Sequence, residues 1–432
     1  MKDIQKLVTM LKTLEDQMTV CMHCGLCQSV CPLFAQTLNE ADVARGKICL
    51  LGGLSSEMLK DVQGVKERLD NCLMCGSCEA NCPSGVSALE IFLKARVILT
   101  AYQGLSRTRQ LILRGALAHP RLFDRILEMG ARSQSFFVSP ASELLGTSCS
   151  RIMSPLIGER HFMPLADVPF HRQQGSLDTP AGESGQKVAF YYGCLTDKIY
   201  PGIGNAVLKV LRYHGVGVWM PHEQACCGIP ALSSGDLPSF KKLVRANLKA
   251  FGNKGFDALV TPCATCTSTI REFWPMFAGE FSEDEAAAIK AMAAKTTDIS
   301  AFLVDSGLVS DKSAEPSANS ATVTYHDPCH LKKSLKISAQ PRRLLQNMPS
   351  CRFVEMNEAD SCCGSGGSFN LLHYETSTAI GMRKRENIVA SGAVTVATSC
   401  PACMMQMTDM LSRREDAVAV RHVIEVYAAA LS

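Results

Sequence analysis

No stretch of about 18 uncharged apolar residues occurs in this 432-residue chain, so a membrane-spanning helix is not expected. The N-terminal twenty residues carry Asp3, Glu15 and Asp16 and lack the basic start, long apolar run and small-residue cleavage site of a secretory signal. A reducing, cytoplasmic address is therefore expected. Charge of one sign is scarce too: 44 Lys and Arg against 41 Asp and Glu leave +3, which gives no basis for a nucleic-acid partner. Gly202-Ile-Gly204 and Gly364-Ser-Gly366-Gly367 come nearest to a dinucleotide fingerprint, but neither completes it, and both read as turns. There is no P-loop and no Gly-x-Ser-x-Gly elbow. The chain thus offers no hydride-accepting cofactor site of its own.

What is abundant is cysteine, 21 residues in all. That is about 5% of the chain, below the ~8–10% of disulfide scaffolds, and a chain of this length does not need staples. In a reducing compartment such residues read as metal ligands or catalytic thiols. Eighteen of them fall into four groups. Cys21, Cys24, Cys27 and Cys31, followed by Pro32, are repeated 51 residues later as Cys72, Cys75, Cys78 and Cys82, followed by Pro83. Both runs spell C-x2-C-x2-C-x3-C-P, the bacterial ferredoxin pattern, in which the fourth cysteine ligates the other cluster. The expectation is one [4Fe-4S] cluster on Cys21, Cys24, Cys27 and Cys82, and a second on Cys72, Cys75, Cys78 and Cys31. Zinc is the competing reading, since four cysteines also suit a tetrahedral ion. Zinc ribbons, however, present two separated C-x2-C knuckles, whereas here four cysteines crowd into one short loop. Pro32 and Pro83 read as turn formers, and Gly25, Gly76 and Ser77 as small residues that let the backbone wrap closely.

The other two groups form a longer repeat. Cys194, Cys226-Cys227-Gly228 and Cys263-x2-Cys266 recur as Cys329, Cys362-Cys363-Gly364 and Cys400-x2-Cys403, at near-constant offsets of 135 to 137 residues. Constant offsets mean a duplicated unit. In the first copy, strands are expected at Val188–Tyr192, Val216–Met220 and Ala258–Thr261, with helices near 205–214 and 240–251. In the second, strands are expected at Thr322–His326, Arg352–Glu355 and Ala393–Thr398. This alternation implies parallel βαβ units with all five cysteines of each copy just past strand carboxyl ends, where open α/β sheets build their sites. Five thiolates on one rim exceed what a zinc ion needs and suit one or two further clusters; structural or zinc-binding thiols are the plainer alternative. Cys49, Cys149 and Cys351 fall outside every group and read as core or surface thiols. His23, His326 and His330 stand beside ligand cysteines, where each reads either as a residue tuning a cluster by hydrogen bonding or as a satisfied structural histidine. Arg45-Gly46-Lys47 either offers positive charge to anionic clusters or is solvated surface.

The expected architecture is α+β and α/β. A helical, two-cluster ferredoxin-like domain with flanking helices spans 1–132, opening on an amphipathic helix over residues 1–20, and a linker spans 133–186. A first cysteine-rich α/β domain follows over 187–308, then a linker over 309–320 and a second such domain over 321–432.

The ferredoxin pair, Ala44-Arg45-Gly46-Lys47, Cys82-Pro83-Ser84-Gly85-Val86 and the two Cys-Cys-Gly domains in this order resemble the iron–sulfur subunit of glycolate oxidase, over nearly the whole chain. The resemblance implies an electron-transfer subunit. It would take electrons from a partner subunit with a flavin, FAD, that oxidises glycolate or D-lactate, and pass them to a quinone or other carrier, with peripheral membrane association through the partner at the inner face of the cell membrane. The eight N-terminal cysteines would carry the ligand roles. In that family one Cys-Cys-Gly copy is often degenerate; here both are complete, which resembles heterodisulfide reductase subunits, whose Cys-Cys-Gly cysteines hold a non-cubane cluster at a disulfide-reducing site. A thiol–disulfide reductase is therefore the alternative function, and a zinc-stabilised scaffold subunit is a third.

Overall fold

The structure is a computed structural model that describes residues 4–151, 158–252, 254–310 and 312–431. The chain divides into two compact units and passes between them more than once. The first takes in the residues up to Ala118 together with Gly228–Lys242 and Gly364–Ile380; the second holds His119–Cys227, Leu243–Cys363 and the chain from Gly381 onward. No described helix is long and apolar enough to cross a membrane.

The described residues of the first unit form helices and no strand. Its N-terminal segment makes two helices rather than one, Ile4–Lys12 and Glu15–Thr19, with the Thr13 hydroxyl turned back onto the Met10 carbonyl at 2.7 Å where they part. Leu7, Val8 and Leu11 form the buried stripe of the first. The helix Ala88–Gln103 is the spine of the unit: Leu89, Ile91, Phe92, Leu93, Ala95 and Leu99 are buried, and Gly104 ends it at a φ of +87°, a conformation that L side chains avoid. The segment after the first Cys-Cys-Gly lies against this spine. A Cβ at Gly235 would fall 2.3 Å from the Arg96 carbonyl oxygen, an approach only glycine permits. The limits of the unit differ from the expected boundaries. The unit ends at Ala118, not near 132, and draws in two segments of the cysteine-rich repeats.

The second unit carries the strands. β1 (Val138–Ser142) and β2 (Thr147–Ser150) make an antiparallel hairpin. β3 (Leu177–Asp178), β4 (Lys187–Phe190), β5 (Gly217–Met220), β6 (Ala258–Thr261) and β7 (Thr296–Asp298) form a sheet in the order β3-β5-β4-β6-β7, parallel apart from β3. β8 (Ala321–His326), β9 (Cys351–Phe353), β10 (Thr395–Thr398) and β11 (Ala419–His422) form a fully parallel sheet in the order β9-β8-β10-β11. Without β3 the two orders are the same, so the duplication seen in the cysteines is a duplication of topology. The fourth strands β7 and β11 were not expected from the sequence; both are short and lie at a sheet edge.

The two copies share one core. Val207 and Leu211 of the first belong to the same buried cluster as Ile424 and Tyr427 of the second. The packing is reciprocal. Helix Pro201–Tyr213 lies on Val423–Ala430, and Ile299–Asp305 lies on Ala339–Gln346. Lys209 reinforces the first contact by donating to the Ala428 and Leu431 carbonyls, each at 2.8 Å.

The stretch 133–186, expected as a linker, is largely built into this unit; its residues 152–157 lie outside the described residues. It contains the end of helix Pro120–Phe137, the β1–β2 hairpin, helix Phe170–Gln174 and β3. Phe170 is its anchor: fully buried, it meets Phe190 and Tyr192 edge-on at 5.9 and 5.4 Å. Gly202 and Gly204 are not turn residues either. They open helix Pro201–Tyr213, where a Cβ on Gly204 would fall 2.6 Å from the Phe170 ring. Residues 312–320 carry neither helix nor strand.

Candidate functional site

The two ferredoxin-type runs have the same backbone. His23 and Gly25 in the first, Met74 and Gly76 in the second, all take positive φ, between 53° and 88°. A residue of positive φ between residues of negative φ turns successive N–H groups toward a common point, a concavity suited to an anion. Each loop therefore presents cysteines and amides to one place. Amides also reach the fourth cysteines: Phe34 N–H donates to Cys31 Sγ and Val86 N–H to Cys82 Sγ, both at 3.5 Å.

The cysteines sort by proximity into crossed sets. The Cys21 thiol is raised by burial and by the nearby Cys27 and Cys82. Burial, with Cys72 and Cys75 alongside, pushes Cys31 up to about 11. Cys78 is raised further by burial and by Cys75, Cys72 and Cys31. So Cys82 keeps company with the first run and Cys31 with the second. Thiols crowded in this way become thiolates together only if a cation is placed among them, and an iron core supplies that charge. The donor set and the amide-lined loops fit two [4Fe-4S] clusters.

Two buried cations stand behind the second run. Lys47 is 1% exposed; its ammonium donates to the Asp42 carbonyl, and its pKa is lowered by burial against the opposing pull of Cys72, Asp42 and Cys31. Arg96 donates to the Cys72 carbonyl at 2.9 Å, the Leu69 carbonyl at 2.5 Å and the Ser233 carbonyl at 2.8 Å. Lys47 is marked in the sequence by its place between the two runs. Arg96 is not, and only its charge on the apolar stripe Leu89, Phe92, Leu99 of a helix could have signalled it. Arg45 is more open, with Nε on Glu40 at 2.5 Å and Nη1 on the His23 carbonyl at 3.1 Å. His23 Nδ1 lies 3.5 Å from Cys49 Sγ and 4.0 Å from Cys21 Sγ. The two runs differ in access: Cys24 is exposed beside Met22, at 78% exposure, whereas Cys75 is buried.

In the second unit the Cys-Cys-Gly cysteines follow the carboxyl ends of β4, β5, β6, β8, β9 and β10. They do not form two isolated sets. Cys226 lies against Cys194 and Cys227, and Cys266 against Cys227 and Cys263. Cys263 contacts Cys400, and Cys403 contacts Cys363 and Cys400. Eight thiols thus run without a break from Cys194 to Cys363 through a seam at Cys263 and Cys400, where the copies also join through Ala264 N–H donating to the Ser399 carbonyl at 2.9 Å. Cys400 is pulled down because Cys263 and Cys403 both hydrogen-bond to it; Cys226, Cys266 and Cys403 are pushed up by hydrogen bonds to their neighbouring thiols and by burial. Cys329 follows β8 on the same rim, and Cys362 lies with Cys363 beside the buried ammonium of Lys384, which burial brings down to about 8. Cys49, Cys149 and Cys351 do not join these rows of thiols.

Two histidines stand near the seam. His330 Nδ1 lies 3.3 Å from Thr265 Oγ1. His326, at the end of β8, is fully buried, and burial lowers its pKa to about 3, so the ring is neutral. Neither ring nitrogen makes a well-formed hydrogen bond, although the Ala359 backbone lies beside the ring. The Ala359 carbonyl nearby instead accepts from Asp327 N–H at 3.0 Å and from Lys384 at 3.3 Å.

Helical loops that gather thiols in crossed sets, joined in one chain to a duplicated parallel α/β body with thiols along its rim, define an iron–sulfur protein of the oxidoreductase class. The comparisons agree at both ends: the 4Fe-4S dicluster domain model matches residues 17–86, and the cysteine-rich domain model matches 188–271 and 323–408. The chain is 30% identical over 409 residues, covering 91% of itself and 89% of the relative, to the "Probable glycolate oxidase iron-sulfur subunit" of Bacillus subtilis (strain 168), and it belongs to the glycolate oxidase iron–sulfur subunit family. It is also 27% identical over 395 residues to a subunit of the "Fumarate reductase (CoM/CoB)" of Methanothermobacter marburgensis, covering 91% of this chain and 68% of that one. With "Lactate utilization protein A" of an Exiguobacterium strain it shares 31% identity, over 55% of this chain and 96% of the relative.

Proposed function

We propose that this chain is the electron-transfer subunit of a flavin-dependent 2-hydroxy-acid dehydrogenase, accepting electrons from a partner subunit that carries FAD and oxidises glycolate or D-lactate, and delivering them to a quinone or another carrier. Cys21, Cys24, Cys27 and Cys82 would hold one [4Fe-4S] cluster, and Cys72, Cys75, Cys78 and Cys31 the other. Such clusters supply one-electron steps, with potentials set by charge, hydrogen bonding and exposure. The residues supply that setting: amides of Phe34 and Val86 aimed at sulfur, buried Lys47 and Arg96 behind the second run, and a solvent-facing Cys24 at the first. The observation that carries the reading is the crossing of Cys31 and Cys82 between the runs, which brings two ligand sets together in one helical body. Substrate oxidation belongs to the partner, which would also account for any residence at the inner membrane face. The domain roles follow: the first unit relays electrons, and the rims of the duplicated body hold one or two further centres on Cys194, Cys226, Cys227, Cys263 and Cys266, and on Cys329, Cys362, Cys363, Cys400 and Cys403.

A second reading, a thiol–disulfide reductase acting at that rim, is favoured by the unbroken row of thiols, all buried except the half-buried Cys194, and by the relative named for a CoM/CoB-dependent fumarate reductase. One experiment separates the two. The native complex is purified anaerobically, its iron, zinc and flavin are quantified, and its EPR spectrum is followed on addition of glycolate, D-lactate or a dithiol. Co-purified flavin and cluster reduction by a hydroxy acid are expected. Reduction by the dithiol alone would favour the reductase, and zinc without iron would leave only the scaffold.

A further inference from the structure

We propose that His326 is a nitrogen ligand of the metal centre in the second cysteine-rich copy, together with Cys363 and Cys403, so that the two copies hold chemically different centres. The proposal deepens the cluster reading above and rests on it. One ligand atom each from His326, Cys363 and Cys403 lies within 4.8 Å of the others, and all three residues are buried. Neither ring nitrogen of His326 makes a well-formed hydrogen bond, although the Ala359 backbone lies beside the ring, a condition that buried polar groups rarely tolerate unless they meet something other than protein. The charged neighbours do not serve the ring. Asp327 is turned to Arg342, which donates to both of its carboxylate oxygens at 2.8 Å, and Lys384 is spent on the Glu358 and Ala359 carbonyls. An unpaired imidazole next to two thiols is a donor set for a transition metal.

The first copy provides an internal comparison. The offset of 135 residues that relates Cys194 to Cys329 relates Tyr191 to His326. Tyr191 is also buried, and it too lies among cysteines, near Cys266, Cys227, Cys226 and Cys194. Its hydroxyl, however, donates to the Ala225 carbonyl at 2.7 Å. At the same place in the fold, then, one copy carries a phenol already committed to the backbone, and the other an imidazole with both nitrogens open. The first copy's centre is all-sulfur; the second's is mixed. Replacing a thiolate by a neutral imidazole removes negative charge from an iron–sulfur centre and raises its potential, as in centres where histidines replace two cysteines. The second copy thus becomes the more oxidising end of the duplicated body.

The test uses the full chain in its native complex, prepared anaerobically with 15N-histidine, and pulsed EPR in every oxidation state reached between dithionite and ferricyanide. A histidine nitrogen coupling is expected in unsubstituted protein and in Tyr191→Phe. It should be lost in His326→Leu and, in case that variant does not fold, in His326→Gln, with the two N-terminal cluster signals unchanged. His326→Cys should keep its iron and hold a lower-potential centre. Iron assigned to the second copy by its loss in Cys363→Ala, with no histidine coupling in any state, overturns the proposal and leaves the relay reading standing; so does zinc at that site beside intact N-terminal clusters. Absence of the N-terminal cluster signals themselves would instead sink the underlying reading.

Discussion

Lys47→Met removes one of the two buried positive charges behind the second ferredoxin-type run without removing the volume that fills its site. The ammonium is 1% exposed and sits in the electrostatic company of Cys72 and Cys31, so little water screens it from a cluster held there. Coulomb's law with an effective dielectric of ~20 gives about 2.4 kcal/mol for each electron added when a unit charge stands about 7 Å from a redox centre. At ~59 mV per tenfold change for a one-electron couple, that is roughly 100 mV. Reduction makes an already anionic cluster more negative, so losing the cation must lower its potential. Stability should move little, within about 1 kcal/mol, because methionine also relieves a desolvated ammonium. Asp42 keeps Arg68 at 3.3 Å and Asn71 at 3.4 Å. An EPR-monitored redox titration of the anaerobic protein, run beside a thermal melt, measures both. One cluster should fall by roughly 100 mV while the other moves much less. An upward shift, equal shifts in both clusters, or a shift below about 30 mV with the fold intact would refute the electrostatic argument.

The remaining predictions concern ligands, packing and pH. Cys24→Ser and Cys75→Ser should each remove one, and a different, [4Fe-4S] EPR signal; unchanged spectra in both variants would contradict the ligand sets. Phe170→Ala should destabilise the second unit by about 3–5 kcal/mol in denaturant unfolding, since it empties a fully buried ring from a shared core, whereas a residue in a free linker would cost under about 0.5 kcal/mol. His422 must stay neutral, because Nδ1 accepts from Ile424 N–H at 3.1 Å and the ring also bonds the Pro262 carbonyl at 2.7 Å, and burial lowers its pKa to about 4. Its proton binds the unfolded chain more tightly, so its stabilising share is complete above pH ~6.5 and falls by up to about 3 kcal/mol as the pH drops to ~4. His422→Asn, which keeps a capping acceptor, should flatten that part of a urea-unfolding pH series; an unaltered slope would refute the assignment.

What could be read in the sequence was whatever chemistry writes at short range. Ligand loops need their cysteines within a few residues of one another, so Cys21–Cys31 and Cys72–Cys82 were legible as two clusters' worth of sulfur, and constant offsets announced the duplication. Strands β4, β6, β8 and β10 were visible because buried parallel strands are runs of apolar and β-branched residues. Edge strands β7 and β11 were not, being three and four residues long with polar ends. The stretch 133–186 reads as a linker because its regular pieces are short and much of its hold on the fold is Phe170, a single aromatic whose partners Phe190 and Tyr192 lie twenty residues or more along the chain.

The deeper omission was the joining of the copies. A repeat suggests two domains, each complete in itself, yet helix Pro201–Tyr213 of one is buried by Val423–Ala430 of the other, and Cys263 of one meets Cys400 of the other. No local pattern encodes such reciprocity, because it depends on which apolar faces the two sheets leave over after covering themselves. Once the copies face each other, they need not stay alike. Position 191 of the first carries a tyrosine that bonds backbone, while position 326 of the second carries a histidine whose ring nitrogens make no well-formed hydrogen bond. Duplication supplied two equivalent rims, and a shared core fixed their distance across the Cys263–Cys400 seam. On the proposal above, chemical difference between them would rest on single side chains, and one fold would hold two centres of unequal potential.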